Sequence, residues 1–195
     1  MSIITKSQLR GFRNSTRTFS KSINESLIEF SSETKTNKIT IFLSHKHDEI
    51  EELDSAITLL KSFGVSVYVD WQDQGMPKNT SGITAKRIKE KIKENQKFIF
   101  LATEGAIASK WCNWELGYGD AQKYIENIAL LPIKNDINSY YSGSEYMQIY
   151  PSIEYLDGTR KNNAGRFIPK GYYVLKPSDI NGSQSFMTLK EWLIR

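Results

Sequence analysis

At 195 residues, 39% apolar and 25% charged, the chain is long enough for one domain with a buried core plus an appendage, and its balance excludes wholesale disorder. Its net charge of +4 is mild, lysines alternate with glutamates, and no basic stripe with interleaved aromatics stands out, so no nucleic acid is expected as a partner. One cysteine, Cys112, excludes an internal disulfide and fits a reducing, cytoplasmic setting. With only His45 and His47 beside it, no metal site of the usual ligand types is expected, and no apolar run approaches the roughly 20 residues that span a bilayer.

In chain order, the first 24 residues carry Lys6, Arg10, Arg13, Arg17 and Lys21 and no acid, the composition of a transit peptide. A different pattern outweighs it. Phe12, Thr16, Phe19, Ile23, Leu27 and Phe30 recur at steps of three and four and continue past Glu25 and Glu29, which predicts a long amphipathic helix that packs on the domain or on a partner. Residues 31–37 are polar and read as a linker, so residues 1–37 are taken as an N-terminal helical extension and 38–195 as the domain.

From residue 38 strands and helices alternate. Ile39–Ser44 is an unbroken run of β-formers, as in a strand covered on both faces. Asp48 with Glu51 suggests a capping box for a helix carrying Ile50, Leu53, Ile57, Leu60 and Phe63, which Gly64 ends. Val65–Trp71 is a second strand, followed by a polar loop and a helix with Ala85, Ile88 and Ile92. Lys97–Thr103 is a third strand, Ser109–Ile125 a third helix and Ile128–Ile133 a fourth strand. The tail is rich in Tyr, Asn, Gly and Ser, with short strands expected near Tyr146–Tyr150 and Tyr172–Leu175, and a last helix capped by Thr188 and Glu191. Helix-length connections between strands mean crossovers, hence an α/β, flavodoxin-like doubly wound parallel sheet. Chemistry in such sheets gathers at the carboxyl ends of the strands, here Ser44-His45-Lys46, Asp70-Trp71, Thr103-Glu104 and Lys134.

A phosphoacceptor receiver would need an acidic pair after the first strand and an aspartate ending the third, where Ser44, His45 and Thr103 stand. No Gly-x-x-x-x-Gly-Lys-Ser/Thr loop is present, and Gly117-Tyr-Gly119 is too short and lies mid-helix. The third helix is more informative. With Ser109 as N-cap, Trp111, Trp114, Tyr118, Ala121 and Ile125 form a stripe expected to face the sheet. At about 100° per residue Glu115 projects between Trp111 and Cys112, inside an apolar arc. A buried carboxylate calls for a partner, with Lys46 or Arg87 as candidates, or for a purpose.

Ile41-Phe-Leu-Ser44 resembles the opening strand of TIR domains, and Val67-Tyr-Val-Asp70-Trp71 their second strand. Residues 72–82 occupy the position of the mobile loop that follows, although this loop is longer than in many members. Ser109-Lys-Trp-Cys-Asn-Trp-Glu115-Leu resembles the segment bearing the catalytic glutamate of TIR enzymes that cleave NAD+. The likeness covers roughly residues 38–134. It implies Glu115 as catalytic residue, Trp111 and Trp71 as aromatic contacts of the nicotinamide, and Ser44, His45, Lys46 and Asp70 as contacts of ribose or phosphate. It implies NAD+ as substrate, with no cofactor and no metal. The stand-alone bacterial TIR proteins of antiphage defence, such as Thoeris, are the most similar in kind. In them the product is a nucleotide signal for a separate effector, and activity follows self-association. Each aromatic and strand-end residue also has a plain packing or solvation reading, and two other functions stay open: a non-enzymatic TIR scaffold and a nucleoside deoxyribosyltransferase-like enzyme.

Overall fold

The apolar, β-forming runs become strands of one sheet in a computed structural model that describes residues 3–13, 38–70, 81–136, 145–162, 164–178, 182 and 184–195. In chain order these form β1 (Ile4–Thr5), α1 (Lys6–Arg10), β2 (Thr40–Ser44), α2 (Ile50–Lys61), β3 (Ser66–Tyr68), α3 (Gly82–Glu94) and β4 (Lys97–Ala102). There follow α4 (Glu104–Ala108), α5 (Lys110–Gln122), β5 (Ile128–Lys134), β6 (Ser152–Leu156), β7 (Gly171–Leu175), β8 (Phe186–Thr188) and α6 (Leu189–Ile194). The strand order is β3-β2-β4-β5-β6-β7-β8, with β1 pairing the far end of β5. Neighbours are parallel from β3 to β6 and antiparallel from β6 to β8.

Alternation along the central strands divides the core in two. Ile41, Leu43, Val67, Ile99, Leu101 and Leu131 face one way and meet Leu53, Leu60, Leu189 and Trp192 of α2 and α6. Phe42, Tyr68, Phe98, Phe100 and Leu130 face the other way and meet Ile88, Ile92, Ala106 and Leu116 of α3, α4 and α5. The expected doubly wound arrangement is therefore present, with helices on both faces.

The basic N-terminus has a local explanation. Ile4 and Thr5 pair with Ile133 and Lys134, and Ile4 and Leu9 are buried in the core. This lays Lys6, Arg10 and Arg13 against the acids of α2: Lys6 stands 3.4 Å from Glu52, Arg10 3.1 Å from Glu51, and Arg13 3.5 Å from Asp54. Lys6, Arg10 and Arg13 are counter-charges within the fold, and Arg17 and Lys21 lie outside the described residues. Apart from Phe12, which packs on that core, the stripe expected over residues 12–30 lies outside the described residues.

Several local expectations are corrected. No Asp48–Glu51 capping box forms: α2 begins after Glu49 without a side-chain cap, because Asp48 pairs with Lys46 at 3.0 Å and Glu49 accepts a hydrogen bond from the Thr103 hydroxyl. The strand expected near Tyr146–Tyr150 is a 3-10 turn over Glu145–Ile149, and the strand starts only after Pro151. The second strand expected over Val65–Trp71 is shorter, Ser66–Tyr68, and the helix expected over Ser109–Ile125 ends at Gln122. Gly64, at φ 81°, closes the turn after α2, and Thr188 with Glu191 forms the capping box of α6.

Gly119 sets how closely α5 approaches the sheet. A β-carbon there would stand 3.0 Å from Cδ2 of Phe98, whereas one at Gly117 would meet nothing within 4 Å. Gly119→Val should therefore overpack the interface and destabilise the chain by about 1–3 kcal/mol, read as a lower urea midpoint. Gly117→Ala, on the exposed face of the same helix, should leave the midpoint unchanged or raise it by up to about 1 kcal/mol. Equal midpoints for Gly119→Val and wild type would show that this contact does not limit the packing.

Candidate active site

Ser44 is the last residue of β2, and Ser109 caps α5 by accepting from the Cys112 amide. The cap fixes the start and phase of the helix, and Gly119 lets it sit close to Phe98. The face turned to the sheet is then Cys112, Glu115, Leu116 and Gly119. This corrects the expected stripe. Trp111, Trp114 and Tyr118 are only partly buried, on the flank of the helix, while Ala121 and Ile125 are exposed. The three rings form a ladder, Trp111 on Trp114 at 4.8 Å and Trp114 on Tyr118 at 6.1 Å, with the Lys89 ammonium 5.6 Å from the Trp114 ring centroid.

Glu115 thus lies in the centre of the buried face, 2% exposed. Its partner is a hydroxyl, not a cation: Ser44 Oγ donates to Oε2 at 2.6 Å. Lys46, one of the two expected partners, pairs with Asp48. Burial pushes the Glu115 carboxyl well above the ordinary range, and the negative charge of Asp70 pushes it further. Hydrogen bonds from Ser44 and the Trp111 side chain act in the opposite direction.

Asp70 follows β3 and is buried beside two imidazoles. His47 Nε2 lies 3.1 Å from Asp70 Oδ2, and His45 Nε2 3.9 Å from Oδ1. Nδ1 of His45 stands 3.1 Å from the Leu43 carbonyl, which only accepts, so that nitrogen carries the proton. Burial lowers the pKa of His45, opposed by the charge of Asp70. The hydrogen bond to Asp70 raises that of the more exposed His47. The Cys112 thiol donates to the His45 carbonyl at 3.2 Å, and burial pushes its pKa up to about 12, so it is a packing group and no nucleophile.

The structure therefore brings Ser44, His45, Asp70 and Glu115 together, with Trp111 one helical turn before Glu115. The exposed ammonium of Lys46 is engaged by Asp48. Trp71 and nearly all of the loop after it lie outside the described residues. Sequence reasoning passed over His47 as a site residue. The signal was there: in His45-Lys46-His47 the imidazoles are two positions apart, and side chains at that spacing share a side of an extended backbone.

The raised carboxyl has a consequence for stability. A group whose pKa is higher in the folded chain than in the unfolded one adds stability that is full below the unfolded value and lost as pH rises through the folded value. For Glu115 that loss begins near its ordinary value of 4.5 and extends upward. Glu115→Gln does not ionise. The urea midpoint of wild type minus that of Glu115→Gln should therefore fall steadily as pH rises from about 4 to 8. Two parallel curves would mean that Glu115 titrates normally.

Fold and site together define a flavodoxin-like α/β protein with a buried acid at the carboxyl ends of parallel strands. Residues 41–167 match the profile of the TIR domain family, and the chain belongs to that family. It is 34% identical over 121 residues to a protein of Bacillus cereus (strain MSX-D12) provisionally named 3′ cyclic ADP-D-ribose synthase ThsB′, a match covering 60% of this chain and 62% of that one. It is 26% identical over 81 residues to a protein of Cytobacillus dafuensis provisionally named cyclic ADP-D-ribose synthase TIR2, covering 40% of this chain and 21% of that one. The chain thus spans less than two thirds of the length of either relative. Among the described residues no helix is long and apolar enough to cross a membrane.

Proposed function

We propose that this chain is an enzyme that cleaves the nicotinamide–ribose bond of NAD+, with Glu115 as its catalytic carboxylate. The observation that carries the reading is the burial of Glu115 at the strand ends, held by the Ser44 hydroxyl rather than by a cation. A carboxylate in that setting is costly to stability and suited to meeting a positive charge brought in by a ligand. The names of the two relatives support the same chemistry.

NAD+ carries its positive charge on the nicotinamide ring, and nicotinamide departs as a neutral base, so no general acid is required. As the C–N bond breaks, charge moves to an oxocarbenium-like ribose, which Glu115 stabilises by about 3 kcal/mol or more in a water-poor site. Ser44 is a positioning residue that orients the carboxylate. Trp111, and Trp71 by resemblance, offer π faces to the pyridinium. His45, Asp70 and Lys46 contact ribose or phosphate, Lys46 by giving up Asp48. The relatives' names favour cyclisation, in which an atom of the same molecule, not water, attacks the ribosyl carbon. NAD+ is a consumed substrate, and no cofactor takes part. The wider setting we propose is bacterial antiphage defence in the cytoplasm, with the product acting as a signal for a separate effector.

Incubation of the protein with NAD+ and chromatography of the products tests this directly. Glu115→Gln should fold yet lose activity by about 10²-fold or more. Because the ionised carboxylate is the working form and its pKa is raised, kcat/KM should rise with pH through that raised value. Equal turnover by wild type and Glu115→Gln would remove Glu115 from the mechanism. Nucleoside turnover without NAD+ turnover would indicate a deoxyribosyltransferase-like enzyme.

Self-association is the proposed switch, since a permanently active NAD+-consuming enzyme would drain its cell. Specific activity should rise with protein concentration in step with the mass seen by light scattering, and deleting residues 14–30, which leaves the buried Ile4 and Leu9 in place, should alter that dependence. Flat specific activity from a constant monomer would sink the switch and leave the glycosidase assignment intact. Association without turnover at any concentration would favour the scaffold.

A further inference from the structure

Beyond the end of β2, His45 and His47 meet Asp70 from the neighbouring β3. One ligand atom from each of the three lies within 4.8 Å of the other two. We propose that His45 Nε2, His47 Nε2 and an Asp70 carboxylate oxygen bind a divalent first-row transition-metal ion, Zn2+ foremost.

The donor set comes first. Two imidazole nitrogens and one carboxylate oxygen are ligands that Zn2+ and its neighbours accept, and three protein ligands leave a position open for water or a substrate oxygen. Zinc bonds of about 2.0–2.2 Å put neighbouring ligands of a tetrahedral site roughly 3.3–3.5 Å apart. Asp70 spans the two imidazoles with its two oxygens, Oδ2 at 3.1 Å from His47 Nε2 and Oδ1 at 3.9 Å from His45 Nε2, so a small turn of the carboxylate sets one oxygen between them. The wider gap in the cluster is within reach of a ring rotation, because the His47 side chain is 57% exposed and free to turn.

A second observation points to a cation independently. His45 Nε2 is buried and has no hydrogen-bond partner. The Leu43 carbonyl fixes the proton on the other ring nitrogen, which leaves Nε2 of the neutral ring with a lone pair aimed at Asp70. Two acceptors then face each other across 3.9 Å. A proton bridges such a gap poorly, since N–H···O bonds run near 2.9 Å, whereas a metal joined to both atoms fits it. A hydrogen bond from the remote imidazole nitrogen to a backbone carbonyl is also how metal-binding histidines are commonly held. The surroundings fit as well. Lys46 is drawn off by Asp48, and the Cys112 thiol is occupied with the His45 carbonyl, so the ligands are nitrogen and oxygen only.

The test uses the untagged full chain, stripped with a chelator and titrated with Co2+ as a visible probe and then with Zn2+. The chain has two histidines and one cysteine, so the donors are easily told apart. Expected are one ion per chain, a cobalt spectrum without thiolate charge-transfer absorption, and a rise in Tm on Zn2+ binding. His47→Ala, at an exposed position that keeps the fold, should weaken binding at least about tenfold and abolish the Tm rise. No uptake, uptake undiminished in His47→Ala, or thiolate absorption from Cys112 would each overturn the site. The two readings share His45 and Asp70, but none of these readouts depends on NAD+, so failure of the metal site is distinguishable from failure of the proposed reaction.

Discussion

The constraint on which this site depends is a carboxyl group placed where a protein built only for stability would put a methyl. Glu115 sits on the face of α5 pressed against the sheet, and its hydrogen bonds come from the Ser44 hydroxyl at the end of β2 and the Trp111 side chain. Two neutral donors do not offset the burial of an ionised acid, and Asp70 nearby adds repulsion. The fold holds this unfavourable group in place through two features of α5. The Ser109 cap sets the phase of the helix, and Gly119 removes the side chain that would lift it off Phe98.

The same geometry explains which parts of the molecule were legible in the sequence. Ile39–Ser44, Lys97–Thr103 and Ile128–Ile133 could be read as strands because burial on both faces demands unbroken runs of β-formers. Glu115 was legible because a charged residue inside an apolar helical arc is conspicuous at any phase. The phase itself was not. Trp111, Trp114 and Tyr118 have the helical period, but the sheet surface beneath α5 is already filled by the fully buried Phe98 and Phe100, so Gly119 with Cys112, Glu115 and Leu116 takes the close face and the large rings lie to the side. Periodicity reports that a helix has an apolar face. It does not report that a glycine outranks a tryptophan in the space available.

Other features depended on contacts distant in sequence. The two-residue strand Ile4–Thr5 has no local signature, and it forms because Ile133 and Lys134, at the end of β5 beyond its pairings with β4 and β6, are left to pair with it. Asp48 had the spacing of a capping residue, yet Lys46 two positions earlier took it for an ion pair. The meeting of His45, His47 and Asp70 follows from register. Phe42 lies opposite Tyr68, and continuing two residues along both chains brings Ser44 level with Asp70. A sequence shows His-x-His and a strand-end aspartate. Only the pairing of β2 with β3 makes them neighbours.

That register also ties the buried acid to the histidine cluster. Ser44 holds Glu115, the next residue donates its ring to the Leu43 carbonyl, and Asp70 acts electrostatically on Glu115 and on both imidazoles. Negative charge is thus concentrated at one end of the parallel strands. Whatever cation arrives there, the pyridinium of the proposed substrate or the proposed metal ion, changes the electrostatics of every member at once. A pyridinium would lower the cost of ionising Glu115 at the moment when an ionised Glu115 is needed, so substrate binding and activation of the carboxylate become a single event. The unfavourable burial in the empty site is then relieved by the ligand, which places part of the binding energy where the bond is to be broken.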